Sequence, residues 1–572
     1  MTRLYNDPAS FTDDMLAGFL DANAGYVTGV PGGVVRASPT RPGKVAVVVG
    51  GGTGHYPAFC GLVGHGLADG AVVGNIFTSP SAAAAASVAR AADGGAGVLL
   101  TTGNYAGDVM NFGLAVEQLE TEGIPARYLA VTDDIASGPA DDIAARRGIA
   151  GDFTVFKCAS AAAEAGYDLD GVFQIAALAN DNTRTLGVAF DGCTLPGASA
   201  PLFTVEQGTM GLGLGIHGEP GVAVHKLPSA AELAELLVTG VLKEKPAGAG
   251  SRIAVILNGL GRTKYEELFV VWATAAELLR TAGYTVVQPE VGELVTSLDM
   301  AGCSLTVLWL DEELERFWTA PADTPAYRRG SIVEVPSATR RRAVTDTFHH
   351  PDFAATADDA ARHGGVAIAE ALHAVASAMV EAEAELGRID AVAGDGDHGR
   401  GMVRGTAAAC AAAEEVVARG AGQGDVLRAA GAAWAAQAGG TSGVLWGAAL
   451  TALGDRLGDA GRPTDADIVA GLRAAYDSLA RLGKARPGDK TMLDALLPLI
   501  EAAENGASWH SAAAAAESAA RATAELRPKV GRARPLAERS IGSPDAGAVS
   551  LAICARVVAD HFEPVVTEGA PR

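Results

Sequence analysis

Three aspartates in one loop and two histidines in another part of the chain carry the clearest chemical meaning in this sequence. In the run R-I-D-A-V-A-G-D-G-D-H-G, Asp390, Asp395 and Asp397 are spaced by five and two residues. Such spacings do not set three carboxylates on one helical face, but a glycine-bearing loop can fold them around a common point. With no lysine or arginine between them, converging carboxylates repel unless a hard cation joins them, and oxygen donors suit Mg²⁺. The competing reading is a solvated turn in which Asp and Gly are simply turn formers. Three acids and three glycines in one loop weigh toward the metal. Elsewhere, His55 closes GGGTGH, Asp108 lies in NYAGD, and His217 sits in the loop G-L-G-L-G-I-H-G-E-P-G. A lone histidine is more often structural. Two histidines and a carboxylate, however, can supply a nucleophile, or an acid and a base, for a carbonyl substrate.

Two further glycine loops lie near the aspartates in sequence. GGTSGVLWG, with Thr441 and Ser442, offers backbone N–H groups and hydroxyls at a helix N-terminus, a common setting for phosphate oxygens. GRARPLAERSIGSPDAGA, with Arg532 and Asp545, offers contacts for the rest of a nucleotide. Each is weak alone, because glycine among helices more often marks close packing or a C-cap. The Walker A pattern is absent, so an ATP site here is not a P-loop. The G-x-G-x-x-G of Gly213, Gly215 and Gly218 is not a dinucleotide fingerprint either. It lacks a flanking strand and helix, and Pro220 with Gly221 would break the helix that must receive the pyrophosphate.

Parallel strands must position the first group. KVAVVVGGGTGH, from Lys44, runs a continuous apolar strand into a glycine turn, as a strand buried on both faces does. GVLLTTGNYAGD and RYLAVTDD repeat the pattern, and in an open α/β sheet ligands bind beyond the carboxyl ends of such strands. SRIAVILNGLG, a helical EELFVVWATAAELLRTAG, TVVQPE and SLTVLWLDEE predict a second α/β lobe. A proline-rich, charged connection begins near Pro321 and includes Arg340 to Arg342 and FHHPDF. Beyond it the chain is alanine-rich, with Ile368, Leu372, Val375 and Met379 on one helical face. The expected layout is an α/β domain of two lobes over residues 1–333, a linker over 334–362 and an all-α domain over 363–572.

Composition narrows the function classes. Across 572 residues, 44 basic against 67 acidic side chains give a net charge of −23, which repels phosphate backbones and acidic lipid headgroups. No nucleic-acid partner and no membrane partner is expected. Cys60, Cys158, Cys193, Cys303, Cys410 and Cys554 lie far apart, without a C-x-x-C pair, and read as buried, reduced thiols. The start, MTRLYNDPASFTDDML, has acids and a proline where an export signal would have a basic and then an apolar run, so a cytoplasmic location is expected. Ala429 to Gly454 is free of charge, but is built mostly from Ala, Gly, Ser, Thr and Gln, and reads as a packed helix pair with a glycine break.

Taken in order, GGGTGH, NYAGDVMNF, GIHGEPG, GDGDHG, GGTSG, GDKTMLDAL and ERSIG resemble the marks of the single-chain, ATP-dependent dihydroxyacetone kinases over nearly the whole chain. The resemblance implies a ketose-binding domain of two α/β lobes and a C-terminal barrel of helices that binds ATP with two Mg²⁺ ions. It implies that His217 bonds covalently to the substrate carbonyl, that His55 and Asp108 are the acid/base pair, and that Gly52, Thr53, Gly54 and Gly103 line the substrate. It further implies metal binding by Asp390, Asp395 and Asp397. Nucleotide contacts fall on His398, Gly399, Arg400, Gly401, Thr441, Ser442, Gly488, Arg532, Asp545, Ala546 and Gly547. A homodimer is implied, with the helical domain of one subunit covering the ketose site of its partner. Departures lie in the ketose domain: Gly103 stands where the family has lysine, Tyr56 follows His55, and Asn75 replaces an acid. Losing a lysine opens volume, so a four-carbon ketose such as D- or L-erythrulose stands beside dihydroxyacetone as the expected substrate. The alternatives are a ketose-sensing regulator without catalysis and a flavin-nucleotide cyclase side activity.

Overall fold

The computed structural model describes residues 2–330, 357–531 and 533–563. Two compact units divide the chain, Met1–Phe348 and His349–Arg572. Arg532 and most of the expected linker, with Arg340 to Arg342, lie outside the described residues.

The first unit holds a six-stranded sheet whose four parallel strands run Gly70–Ile76, Ala46–Thr53, Val98–Gly103 and Ala126–Val131. A hairpin, Val27–Val30 and Gly33–Arg36, extends it antiparallel to Gly70–Ile76. Alternate residues of Ala46–Thr53 face opposite cores: Val47 and Val49 join one apolar cluster, Ala46 and Val48 the other. Burial on both faces explains why that strand reads as an unbroken apolar run. From Ala46–Thr53 the chain goes first to Gly70–Ile76 on one side and then to Val98–Gly103 on the other. The strand order reverses there, so the carboxyl ends of Ala46–Thr53 and Val98–Gly103 border a crevice.

The second sheet of this unit runs Thr285–Val286, Arg252–Gly259, Ala301–Trp309, Thr183–Asp191, Thr209–Leu212 and Ala223–Lys226, with Glu290–Gly292 also pairing to Arg252–Gly259. Its centre is antiparallel. Helices Ala230–Leu242 and Tyr265–Thr281 cover one face. From the other face Ala254, Ile256 and Leu308 enter the same core as Val47 and Val49. One continuous core therefore fixes the two lobes against each other, and with them the loops they carry.

The second unit is all helical. Helices Asp359–Asp390, His398–Ala418, Gln423–Ala438, Gly440–Leu457, Asp465–Gly483, Leu493–Glu504, Trp509–Ala522 and Ala546–Phe562 each pack on the next, and the last returns to the first. The ring is closed, as a barrel of helices requires. The stretch 429–454 is two helices broken at Gly439, whose φ of 64° takes the chain out of the first helix. Among the described residues one helix, Asp359–Asp390, is long and apolar enough by length and composition to cross a membrane. Its buried face, including Leu372, Val375 and Met379, packs in the core of this unit. All six cysteines are buried and free, and burial pushes the Cys60, Cys158, Cys303 and Cys554 thiols up to about 12.

Candidate active site

His217 rides on the tight loop between strands Thr209–Leu212 and Ala223–Lys226. The loop is tied by its own backbone, Gly215 N–H to Glu219 C=O at 2.9 Å and Gly218 N–H to Gly215 C=O at 3.0 Å, and by the Ser297 hydroxyl donating to Ile216 C=O. His55 follows the Ala46–Thr53 strand in the other lobe. The shared core brings the two imidazoles together, Nε2 to Nε2 at 3.1 Å, although 162 residues separate them in sequence. Phe77 stacks on His55 at 5.1 Å and meets the His217 ring edge-on at 4.9 Å.

The hydrogen bonds assign the protons. A carbonyl only accepts, so the 2.7 Å contact to Thr296 C=O puts a proton on His55 Nδ1 and turns the Nε2 lone pair toward His217. Burial, reinforced by His217, lowers the His55 pKa to about 3, so this imidazole stays neutral at physiological pH. On the other side Glu219 Oε1 lies 3.1 Å from His217 Nδ1, while its Oε2 accepts the His217 backbone N–H at 3.0 Å. The nearby His217 and Arg147 hold the Glu219 carboxyl well below its usual range despite its burial. A carboxylate facing Nδ1 requires a proton there, which makes Nε2 the nucleophilic nitrogen. With a proton on each Nδ1, the two Nε2 lone pairs face one another.

Glu219 is itself anchored. The Arg147 guanidinium lies 3.6 Å from its Oε2 and donates to Asp134 Oδ2 at 2.8 Å. Asp134 stands just past the Ala126–Val131 strand, so the chain Asp134, Arg147, Glu219, His217 links both lobes. Gly215 leaves the space that Glu219 and Arg147 fill; a β-carbon there would strike both. The Glu219→Gln variant should lose about 100-fold in kcat/KM for the ketose, less than the ~10⁴-fold cost of neutralising the carboxylate that orients the imidazole of a catalytic triad. Steady-state kinetics with MgATP saturating checks this, and a loss under about threefold would mean that Glu219 only shapes the loop.

The remaining ketose-side positions are distributed as follows. Gly52, Thr53 and Gly54 lead directly into His55, and Thr53 donates its hydroxyl to Gly74 C=O. Gly52 is packed against Phe77 and Thr78, with no room for a side chain. Asp108 is buried in the first turn of Ala106–Thr121, close enough to Asp152 to raise the pKa of that group. Gly103 ends its strand, but the expectation of open volume beside it needs correction. A β-carbon at Gly103 would come within 3.0 Å of the Tyr105 ring and 3.1 Å of Gly148 C=O. Tyr105 occupies that space, and its ring also meets His217 edge-on at 5.0 Å. Tyr56 lines a cavity of about 390 Å³ with Phe11, Met15 and Phe19, and Gly52, Thr53 and Gly54 line the same cavity.

In the helical unit, alternate connections of the ring gather the second group. Asp390 ends one helix and Asp397 precedes the next, and with Asp395 their carboxylate oxygens lie within 4.8 Å of one another. The cluster is all hard oxygen donors, which fits a divalent cation such as Mg²⁺. Asp390 Oδ2 accepts the Gly396 N–H at 2.8 Å and so shapes the loop. His398 Nε2 meets the Ser550 hydroxyl at 2.9 Å and its Nδ1 meets the Ser442 hydroxyl at 3.5 Å, joining the starts of three helices. Thr441 and Ser442 lie in a first turn entered through Gly439 and Gly440. Asp545 caps Ala546–Phe562 by accepting the Ala548 N–H at 2.8 Å, two residues past the backbone of Ala546 and one past Gly547. Burial first, then the charges of Asp494 and Asp390, push its pKa up to about 7. The Gly488 N–H donates to Asp494, a residue that sequence spacing alone did not single out. Gly399 is buried against the backbone of Glu383. Arg400 is exposed, while Gly401 is half-buried with space around it.

Comparison with known proteins follows this division. Residues 17–326 match the Dak1 domain and residues 392–560 the DAK2 domain. A D-erythrulose kinase of Mycolicibacterium smegmatis is 68% identical over 98% of both chains. An L-erythrulose kinase of Pectobacterium atrosepticum is 56% identical over 97% of this chain and 95% of its own. Among solved structures, the dihydroxyacetone kinase from C. freundii in complex with AMP-PNP and Mg²⁺ aligns with a TM-score of 0.51 and 29% identity, over 97% of this chain and 99% of the other.

Proposed function

Because this chain belongs to the dihydroxyacetone kinase family, we propose that it transfers the γ-phosphoryl group of ATP to a terminal hydroxyl of D-erythrulose, held as a hemiaminal on His217. The chain is a kinase of small ketoses. The observation that carries the finer reading is the His217 imidazole, with its Nδ1 proton fixed by Glu219 and its Nε2 turned toward a neutral His55. Identity of 68% to a D-erythrulose kinase, against 56% to an L-erythrulose kinase, supports the four-carbon substrate and the D enantiomer.

In this mechanism the His217 Nε2 lone pair bonds to the carbonyl carbon, and the π pair moves to oxygen. That oxygen takes a proton from solvent and becomes a hydroxyl. The positive charge left on the His217 ring is balanced by Glu219, and His55 is free to accept or return the proton when the bond breaks. Covalent anchoring fixes the terminal hydroxyl and removes part of the entropic barrier. Asp108 takes the hydroxyl proton as that oxygen becomes the nucleophile. Asp390, Asp395 and Asp397 would hold the cation, which when bound would neutralise charge building on the phosphoryl oxygens. Thr441, Ser442 and the Asp545 cap supply hydroxyl and helix N-terminal contacts for the nucleotide phosphates.

Only a carbonyl compound can form the hemiaminal, so glycerol should be inert. An ATP-consumption screen over dihydroxyacetone, glyceraldehyde, D-erythrulose, L-erythrulose and glycerol tests the reading. D-Erythrulose is expected to show the highest kcat/KM. A preference for dihydroxyacetone of about tenfold, ~1.4 kcal/mol in transition-state binding, would overturn the four-carbon assignment.

A further inference from the structure

Among the described residues, the Tyr105 side chain touches both His217 and the space beside Gly103. Its ring meets His217 edge-on, with centroids 5.0 Å apart and planes at 82°. The same ring lies where a side chain at Gly103 would have to go. Its hydroxyl oxygen is buried and has no hydrogen-bond partner among the described residues. Glu219, Arg147, Asp152 and Asp134 are the charged groups that act on it, and burial holds the phenol well above its ordinary pKa. A buried hydroxyl without a partner is costly to maintain, and one beside a catalytic group calls for a ligand that completes it. Three of the four surrounding charged groups are acids, so the phenol keeps its proton and acts as a donor.

Resting on the reading that a ketose is bonded to His217, we propose that the Tyr105 hydroxyl donates a hydrogen bond to the additional hydroxyl that a four-carbon ketose carries beyond dihydroxyacetone. Tyr105 is then the specificity-determining residue of this site. Once the carbonyl carbon is fixed on His217 Nε2, the substituents on that carbon must lie beside the neighbouring rings. Tyr105 offers a donor there that needs no charge, in place of the flexible cation that a lysine at position 103 would bring. A site built to hydrogen-bond a substrate hydroxyl discriminates strongly against the analogue lacking it, because the buried group is then left unpaired.

Tyr105→Phe removes only the hydroxyl and keeps the ring against His217 and Gly103. Its kcat/KM should fall about tenfold or more for D-erythrulose and by less than about threefold for dihydroxyacetone, with the KM for MgATP and the thermal midpoint unchanged. The loss should appear mainly as a raised KM for erythrulose. Equal losses for both ketoses, or no loss for either, would overturn the assignment while leaving the four-carbon reading intact. Failure of the wild-type enzyme to phosphorylate erythrulose would overturn both. A purely structural tyrosine would shift the thermal midpoint or both ketoses alike, so the ratio of the two kcat/KM values decides.

Discussion

The His217→Ala enzyme should lose at least about 10,000-fold in ketose phosphorylation, roughly 5 kcal/mol of transition-state stabilisation, while binding MgATP as the wild type does. The size follows from what the imidazole does. Without the C–N bond the ketose is a small, freely turning molecule, and the enzyme forfeits the advantage of a tethered hydroxyl. The loop itself should survive, because Gly215, Gly218 and Glu219 bond through their backbones, and the Ile216 carbonyl accepts from Ser297. ATP binding should survive because its proposed contacts, Thr441, Ser442 and the Asp545 cap, belong to the helical unit. Single-turnover kinetics with an equilibrium titration of MgATP separates the two properties. A ketose-soaked crystal of the wild type adds direct evidence: continuous density from Nε2 to the substrate is expected, and a free ketose beside an unmodified ring would reject covalent anchoring.

Most of what positions this site could be read from the sequence, for a physical reason. Strands buried on both faces leave long apolar runs, so Ala46–Thr53 and Val98–Gly103 are visible, and the polar residues just beyond them mark the crevice. The helical ring is equally visible because each helix must bury one face, as Leu372, Val375 and Met379 do. Contacts between remote segments were not legible. Arg147 and Asp134 reach His217 only through Glu219, and nothing in their local sequence marks that path. Glu219 lies two residues from His217 in a recognisable motif, yet only the tight hairpin loop turns its carboxylate back onto Nδ1. Gly103 was misread for the related reason that a missing side chain does not imply empty space. Residue 105 refills it, and a spacing of two along the chain gives no hint of that fold-back. The short loop acids behave otherwise: Asp390, Asp395 and Asp397 converge because glycines let a seven-residue connection between two helices curl tightly, a property local sequence does encode.

Asp395→Asn should lower turnover by at least about 100-fold at limiting Mg²⁺, ~2.7 kcal/mol, with the fold unchanged. Removing one of three converging charges weakens the attraction for a divalent cation and so the charge neutralisation it would supply to the phosphoryl group. Asp390 is a poorer choice, since its Oδ2 also accepts the Gly396 amide, and Asp397 immediately precedes the helix that carries His398. In the protein without metal, the same substitution should relieve repulsion among the acids, so the thermal midpoint is expected to rise or hold in a chelator. The wild type should gain more stability than the variant when Mg²⁺ is added, because only it retains the full donor set. Turnover at limiting Mg²⁺ and the thermal response to Mg²⁺ should therefore both be smaller in the variant, for one cause. Near-wild-type turnover at limiting Mg²⁺, or an equal thermal response of the two proteins to the ion, would reject the three aspartates as the metal site and return the loop to a solvated turn.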